Sequence, residues 1–229
     1  MTLINEFNDR VADIDAYYTI LSFEDEVETY KLQPIINKAL GHQLVINNTM
    51  QKCMRANAII MLYNLVESTF SNCVQSIYDA IRDDHLKYPD VNDNLRKVWI
   101  GIKYKPDLSL DHIREISKHI LDVELFSELE YTELPSGVSG NLDFSIMVEL
   151  SKKFAINFGN VPNVENVKET LRFLKKNRND LAHGNVTFSS VGANVSFLEL
   201  VDYKSYTISF LNHCIGVYDL YVQQKKYKI

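Results

Sequence analysis

The chain has 229 residues, 46% of them hydrophobic and 24% charged, with 13 Tyr and 11 Phe; it is long enough for one large domain or two small ones and too aromatic for a disordered or low-complexity protein. Only eight Gly and five Pro leave few tight turns and no glycine-rich phosphate loop, which favours helices over a sandwich or barrel and excludes a Rossmann or Walker nucleotide site. The net charge of −6 counts against nucleic-acid binding, but it is concentrated: residues 1–33 carry eight acidic side chains against Arg10 and Lys31, and the remainder is neutral.

Residues 2–30 are expected to form a long amphipathic helix, because Ile4, Phe7, Val11, Ile14, Tyr18 and Leu21 recur at steps of three and four. Its acidic residues fall mostly off that stripe, as on a solvated outer face. Pro34 to Gly41 breaks the pattern. A second helix, about Met50 to Asp84 and capped from Asn48 or Thr49, is the most apolar of the chain. Ile59, Leu62, Tyr63, Val66, Phe70, Cys73, Ile77 and Ile81 form its stripe, and Ala58, Met61 and Leu65 widen it; a helix apolar on most sides is a buried one. Beyond the loop at Pro89 to Asn94, short helices are expected over Leu95–Tyr104, around Trp99, and over Leu110–Val123, capped by Ser109 or Asp111.

Residues 127–141 read as a loop, and Asp143–Phe158 as a helix ended by Gly159 and Pro162. The next helix, about 163–184, is strongly patterned, with Asn163 as its cap, Glu165 and Glu169 near the positive end of its dipole, and Gly184 as its stop. Alternating β-branched residues over 186–198 predict a small hairpin around Gly192. A final helix runs from about Val201 to Tyr227. No repeat or linker divides the chain. The expectation is one all-α domain over 1–229, a bundle of long antiparallel helices with a peripheral loop or hairpin.

Cys53, Cys73 and Cys214 are widely separated, odd in number and without a C-x-x-C pair, so neither zinc nor a disulfide framework is expected. His112 and His119 share a helical face but lack a third ligand. The first ten residues show no secretory pattern, and the longest apolar run, Ala58–Tyr63, is too short for a bilayer. A reduced, cytoplasmic, soluble protein without metal or cofactor is the expectation.

The chemistry concentrates in Lys175-Lys176-Asn177-Arg178-Asn179-Asp180-Leu181-Ala182-His183-Gly184. Val164, Val167, Leu171, Leu174, Arg178 and Leu181 step by threes and fours, which puts Arg178 in a slot on the buried stripe. A guanidinium there needs an acceptor, either a carboxylate of the chain or an anion such as phosphate admitted by a cleft or interface. His183 follows Asn179 by four residues, so the amide is placed to orient the imidazole; the plainer reading is a histidine that caps a helix C-terminus. Asn57, Asn64, Glu67 and Ser71 make a polar strip on the apolar second helix. Glu67 either forms a structural ion pair with Arg55 or Arg178, or orients Arg178 or His183 in a site. Five cations, Lys168, Arg172, Lys175, Lys176 and Arg178, outnumber Glu165, Glu169 and Asp180 over 165–184, and Lys225, Lys226 and Lys228 follow near the end; doubled in a dimer they would line a basic groove for RNA.

The string RNDLAHG, Arg178–Gly184, resembles the signature of the HEPN superfamily, an Arg, a polar residue, three more, then His. RANAIIMLYNLVESTF, Arg55–Phe70, resembles the first core helix of the MAE-type HEPN-like nucleases, and SGNLDFSIMVELSKKFAINFG, Ser139–Gly159, the segment before their signature helix. The resemblance implies an all-α fold, a homodimer and metal-independent ribonuclease activity. It assigns Arg178, Asn179 and His183 as catalytic; the second helix, with its polar strip, adds Glu67, Asn64 and Arg55 as supporting residues, and the local charge adds Lys175, Lys176 and Arg172 for RNA. The leading expectation is a toxin or antiphage effector that cuts RNA by 2′-OH attack at a site shared by two chains, with a cognate antitoxin or defence partner. The alternative is a non-catalytic HEPN adaptor or antitoxin that binds a nucleotide or a partner protein.

Overall fold

The structure, a computed structural model, describes residues 3–30, 35–37, 42–44, 46–103, 117, 120–126 and 141–229. Helices α1 (Leu3–Tyr30), α2 (Asn48–Asp83), α3 (Asp93–Lys103), α4 (Phe144–Lys153), α5 (Val164–Ala182), α6 (Phe188–Gly192) and α7 (Phe197–Gln223) carry the fold, which is all-α as expected. The expected helix over Leu110–Val123 and the loop over 127–141 lie largely or wholly outside the described residues, as do His112 and His119. The chain divides into two compact units, Met1–Val66 with Asn163–Ser209, and Glu67–Pro162 with Phe210–Ile229.

The first unit buries the stripes read from the sequence. Phe7, Ile14, Tyr18 and Leu21 of α1 are inside, as are Ile59, Leu62 and Tyr63 of α2 and Val167, Leu171 and Leu174 of α5. The Tyr18 hydroxyl donates to the Leu200 carbonyl at 3.0 Å, and that of Tyr17 to the Met54 carbonyl at 2.9 Å, which fasten α1 to α7 and α2. The acid of α1 is not all solvated face. Asp15 pairs with Lys204, Asp25 pairs with Arg55 at 3.3 Å, and Glu24 is buried. A short antiparallel pair, β1 (Ile35–Asn37) and β2 (His42–Leu44), lies across the predicted break at 34–41, with Ile35 opposite Leu44.

The hairpin expected over 186–198 does not form. Thr187 caps α6 by accepting from the Ser190 amide at 3.2 Å, and Val191 and Val195, four apart, are both buried. Val191 is thus buried from α6 and Val195 from just past the turn that follows it. Gly192 lets α6 reach α2, since a Cβ there would run into the backbone of Lys52. Ser196 to Glu199 hold a capping box: the Ser196 hydroxyl accepts from the Glu199 amide at 3.2 Å, and Glu199 accepts from the Ser196 amide at 2.8 Å. That box starts α7 at Phe197, before the predicted Val201.

The second unit is an aromatic core. Tyr78 stacks on Phe126 with centroids 4.3 Å apart, and Phe70 meets the edge of Tyr218 at 6.0 Å. The buried hydroxyls of Ser151 and Tyr218 share a hydrogen bond of 2.9 Å. Asp143 caps α4 by accepting from Ile146, as its place in the pattern implies, but the helix closes at Lys153, short of the predicted Phe158, through the positive φ of 60° at Ala155. Cys73 and Cys214 are buried and free, and burial pushes both thiols up; Cys53 is only half-buried. Asp84, just past α2, receives Lys225 at 3.0 Å, Lys228 at 2.9 Å and the Tyr227 hydroxyl at 2.9 Å. Two of the three terminal lysines are therefore paired with an aspartate.

Candidate active site

Helix α5 builds the site, and its termini set where it stops. Asn163 precedes the helix with φ 51° and makes no side-chain cap bond, so it turns the chain by its left-handed backbone. At the other end Gly184 takes φ 69°, its amide donates to Leu181 at 3.1 Å, and the Asn185 amide donates to Asp180 at 2.9 Å. This is a Schellman stop, and it needs the glycine because a side chain would be strained at that φ. It leaves His183 as the C-cap residue, exposed, at the lip of the helix.

Arg178 occupies the slot that periodicity gave it and is half-buried. Its guanidinium carbon lies 5.1 Å from the centroid of the Tyr63 ring, itself fully buried, a cation–π seat that orients a charged group without consuming its donors. Its Nη1 donates to the Asn179 side-chain oxygen at 3.0 Å. That oxygen thus serves Arg178, not the His183 ring as the spacing suggested. Among the described residues the His183 imidazole has no hydrogen-bond partner.

A helix advances about 100° per residue, so Arg172, Lys176, Asn179 and His183 share an arc of about 60°. Arg172 and Lys176 are exposed and unpaired among the described residues; Lys175 is half-buried, and Lys168 pairs with Glu165 at 2.7 Å. A basic stripe therefore climbs α5 to the histidine. By the same geometry Arg178 and His183 leave the helix about 140° apart. Asn64 is exposed on α2, Arg55 is engaged with Asp25, and Glu67 is half-buried and belongs to the second unit. Tyr63 is the residue that sequence reading missed; it sat in the apolar stripe of α2, and nothing in its spacing marks it as the seat of a cation.

An all-α protein with an Arg-Asn-x-x-x-His string closing a late helix is what these elements define. The chain belongs to the MAE_28990-like HEPN family, whose model matches residues 1–227. HEPN domains are in general ribonucleases or nucleotide-related proteins and commonly work as dimers. No curated protein and no solved structure matches the chain. Among the described residues no helix is long and apolar enough to cross a membrane.

Proposed function

We propose that the protein is an endoribonuclease of HEPN type that cuts RNA without a metal, at a site completed by a second copy. The observation that carries this is Arg178 seated on Tyr63 and bonded to Asn179, which itself lies one turn before an exposed His183. The guanidinium would bind the non-bridging oxygens of the scissile phosphate and stabilise the charge that develops on phosphorus. One histidine would take the proton of the 2′-OH as the O2′–P bond forms. A second would protonate the 5′ oxygen as the P–O5′ bond breaks, leaving a 2′,3′-cyclic phosphate and a 5′-hydroxyl. One chain has one such histidine, so a two-fold pair of chains would supply the acid and the base. Arg172 and Lys176 would follow the RNA backbone toward the site. In the cell this chemistry suits a growth-arresting toxin or antiphage effector held by a partner.

A second reading, a non-catalytic module that binds a nucleotide or a protein, is favoured by the net charge of −6. Incubation of the purified protein with total RNA in EDTA, wild type beside His183→Ala, separates the two. Cleavage by the wild type alone supports the nuclease; no cleavage by either leaves the binding module.

A further inference from the structure

Beside the basic stripe, α5 and the start of α7 enclose a half-open cleft of about 400 Å³, within the size of small-ligand sites. Its wall is aromatic: Phe173 and Tyr203 pack with ring centroids 4.8 Å apart, and Tyr206 is fixed by the Asn166 amide, which donates to its hydroxyl at 2.6 Å. Its rim is anionic, with Glu169, Glu199 and Asp202, and no Lys or Arg lines it. Among the described residues Glu169 and Asp202 have no ion-pair partner. Glu199 is held in its capping box by Ser196, which keeps its carboxyl below the ordinary range and therefore charged. Burial raises the Tyr203 phenol, and Glu199, Glu169 and Asp202, which line the cleft with it, raise it further. The cleft contains none of the residues assigned to RNA cleavage.

Aromatic faces present negative charge, and carboxylates at their edge add to it; a cavity with both and no internal cation selects an organic cation. We propose that this cleft is a binding site for an ammonium or guanidinium group with an apolar stem. The stem lies against Phe173 and Tyr203 while the charged head meets Glu169 and Asp202. Two sources carry that chemistry, a free polyamine and a lysine or arginine side chain of a bound peptide. A bare inorganic cation lacks the stem and does not satisfy the wall.

Calorimetric titration of the full chain tests this with three probes at matched ionic strength: spermidine, a short lysine-containing peptide, and magnesium chloride. The expected result is saturable binding of spermidine or the peptide. Glu169→Gln with Asp202→Asn is expected to weaken it about tenfold, and Phe173→Leu to weaken it without changing the charge. Saturation by spermidine alone makes this a polyamine site, and by the peptide alone a seat for a partner's basic side chain. Both carboxylates are exposed, so the double variant leaves the core intact, and circular dichroism checks each preparation. Absence of saturation by both organic probes overturns the proposal. So does binding that ignores both variants, or magnesium binding as tight as the organic cations. None of these outcomes bears on whether the protein cuts RNA.

Discussion

Arg178 and His183 sit five residues apart yet have different physical situations, and their variants should fail differently. His183 is exposed at a helix end, so His183→Ala is expected to abolish cleavage while shifting stability by no more than about 0.5 kcal/mol, the usual range for a surface change. Arg178→Ala is expected to abolish cleavage and also weaken RNA binding, because it removes the phosphate charge. Arg178→Lys should not rescue, since an ammonium cannot make the planar two-pronged contact. The Tyr63 ring gives a finer test. Tyr63→Phe keeps the cation–π seat and should retain most activity; Tyr63→Leu loses it, a loss of about 0.5–2 kcal/mol on top of repacking, and should raise KM for RNA. Gel-resolved cleavage, fluorescence anisotropy and thermal melts on the same preparations read all five outcomes. Cleavage that survives in the His183→Ala protein would remove His183 from the reaction. The position of Arg178 was legible in the sequence because a period of three and four is enough to place a residue on a stripe. Its seat was not legible, because Tyr63 looks like any other member of the α2 core until α5 is packed against it.

At the scale of elements, legibility followed the local chemistry. The long stripes of α1, α2 and α5 are strong signals, and Gly184 marked the end of α5 correctly because only glycine takes that backbone cheaply. The region 186–198 misled because β-branched alternation and a glycine also suit a short helix wedged in a core. The box Ser196-x-x-Glu199 was present in the sequence and would have started α7 in the right place. Gly192→Ala makes the wedge testable. Alanine gains about 1 kcal/mol of helix propensity over glycine, whereas intrusion on the Lys52 backbone costs about 1–3 kcal/mol as overpacking does. Packing is expected to win, so the melting temperature should fall; a rise would mean that α6 moves off α2 at little cost. The end of α2 offers a pH test. Hydrogen bonds from Lys228, Lys225 and Tyr227 hold the Asp84 carboxyl well below its ordinary 3.8. A carboxyl lowered on folding contributes stability above its unfolded value, and that stability is lost as pH falls through the folded one. Asp84→Asn should therefore destabilise the C-terminal segment at neutral pH. It should also flatten the decline of stability below pH 4, as followed by thermal melts across the acid range. An unchanged acid limb would separate Asp84 from the folding of that segment.

The whole-molecule question is whether one chain can cut RNA. Helical geometry says that Arg178 and His183 diverge on α5, and the chemistry needs a proton acceptor and a proton donor at one phosphate. Two chains related by a two-fold axis would supply the acceptor and the donor, because each then lends its histidine to a single shared cleft. This arrangement has a quantitative signature. Let wild type and His183→Ala be co-expressed in equal amounts so that dimers assort at random. If the site requires both histidines, only the wild-type pairs act, and activity falls with the square of the wild-type fraction, to about a quarter of that of the undiluted enzyme at the same total protein. If each chain works alone, it falls to about a half. Neither value depends on how much His183→Ala perturbs RNA binding, provided that the two chains pair equally, which native mass spectrometry of tagged chains can verify. Cleavage is measured in EDTA and the 3′ ends are assayed for cyclic phosphate, so that the same samples report the proposed route of the reaction. A linear dependence on the wild-type fraction would place a complete site within one chain. It would also require that His183 find its acid or base partner among residues of its own fold.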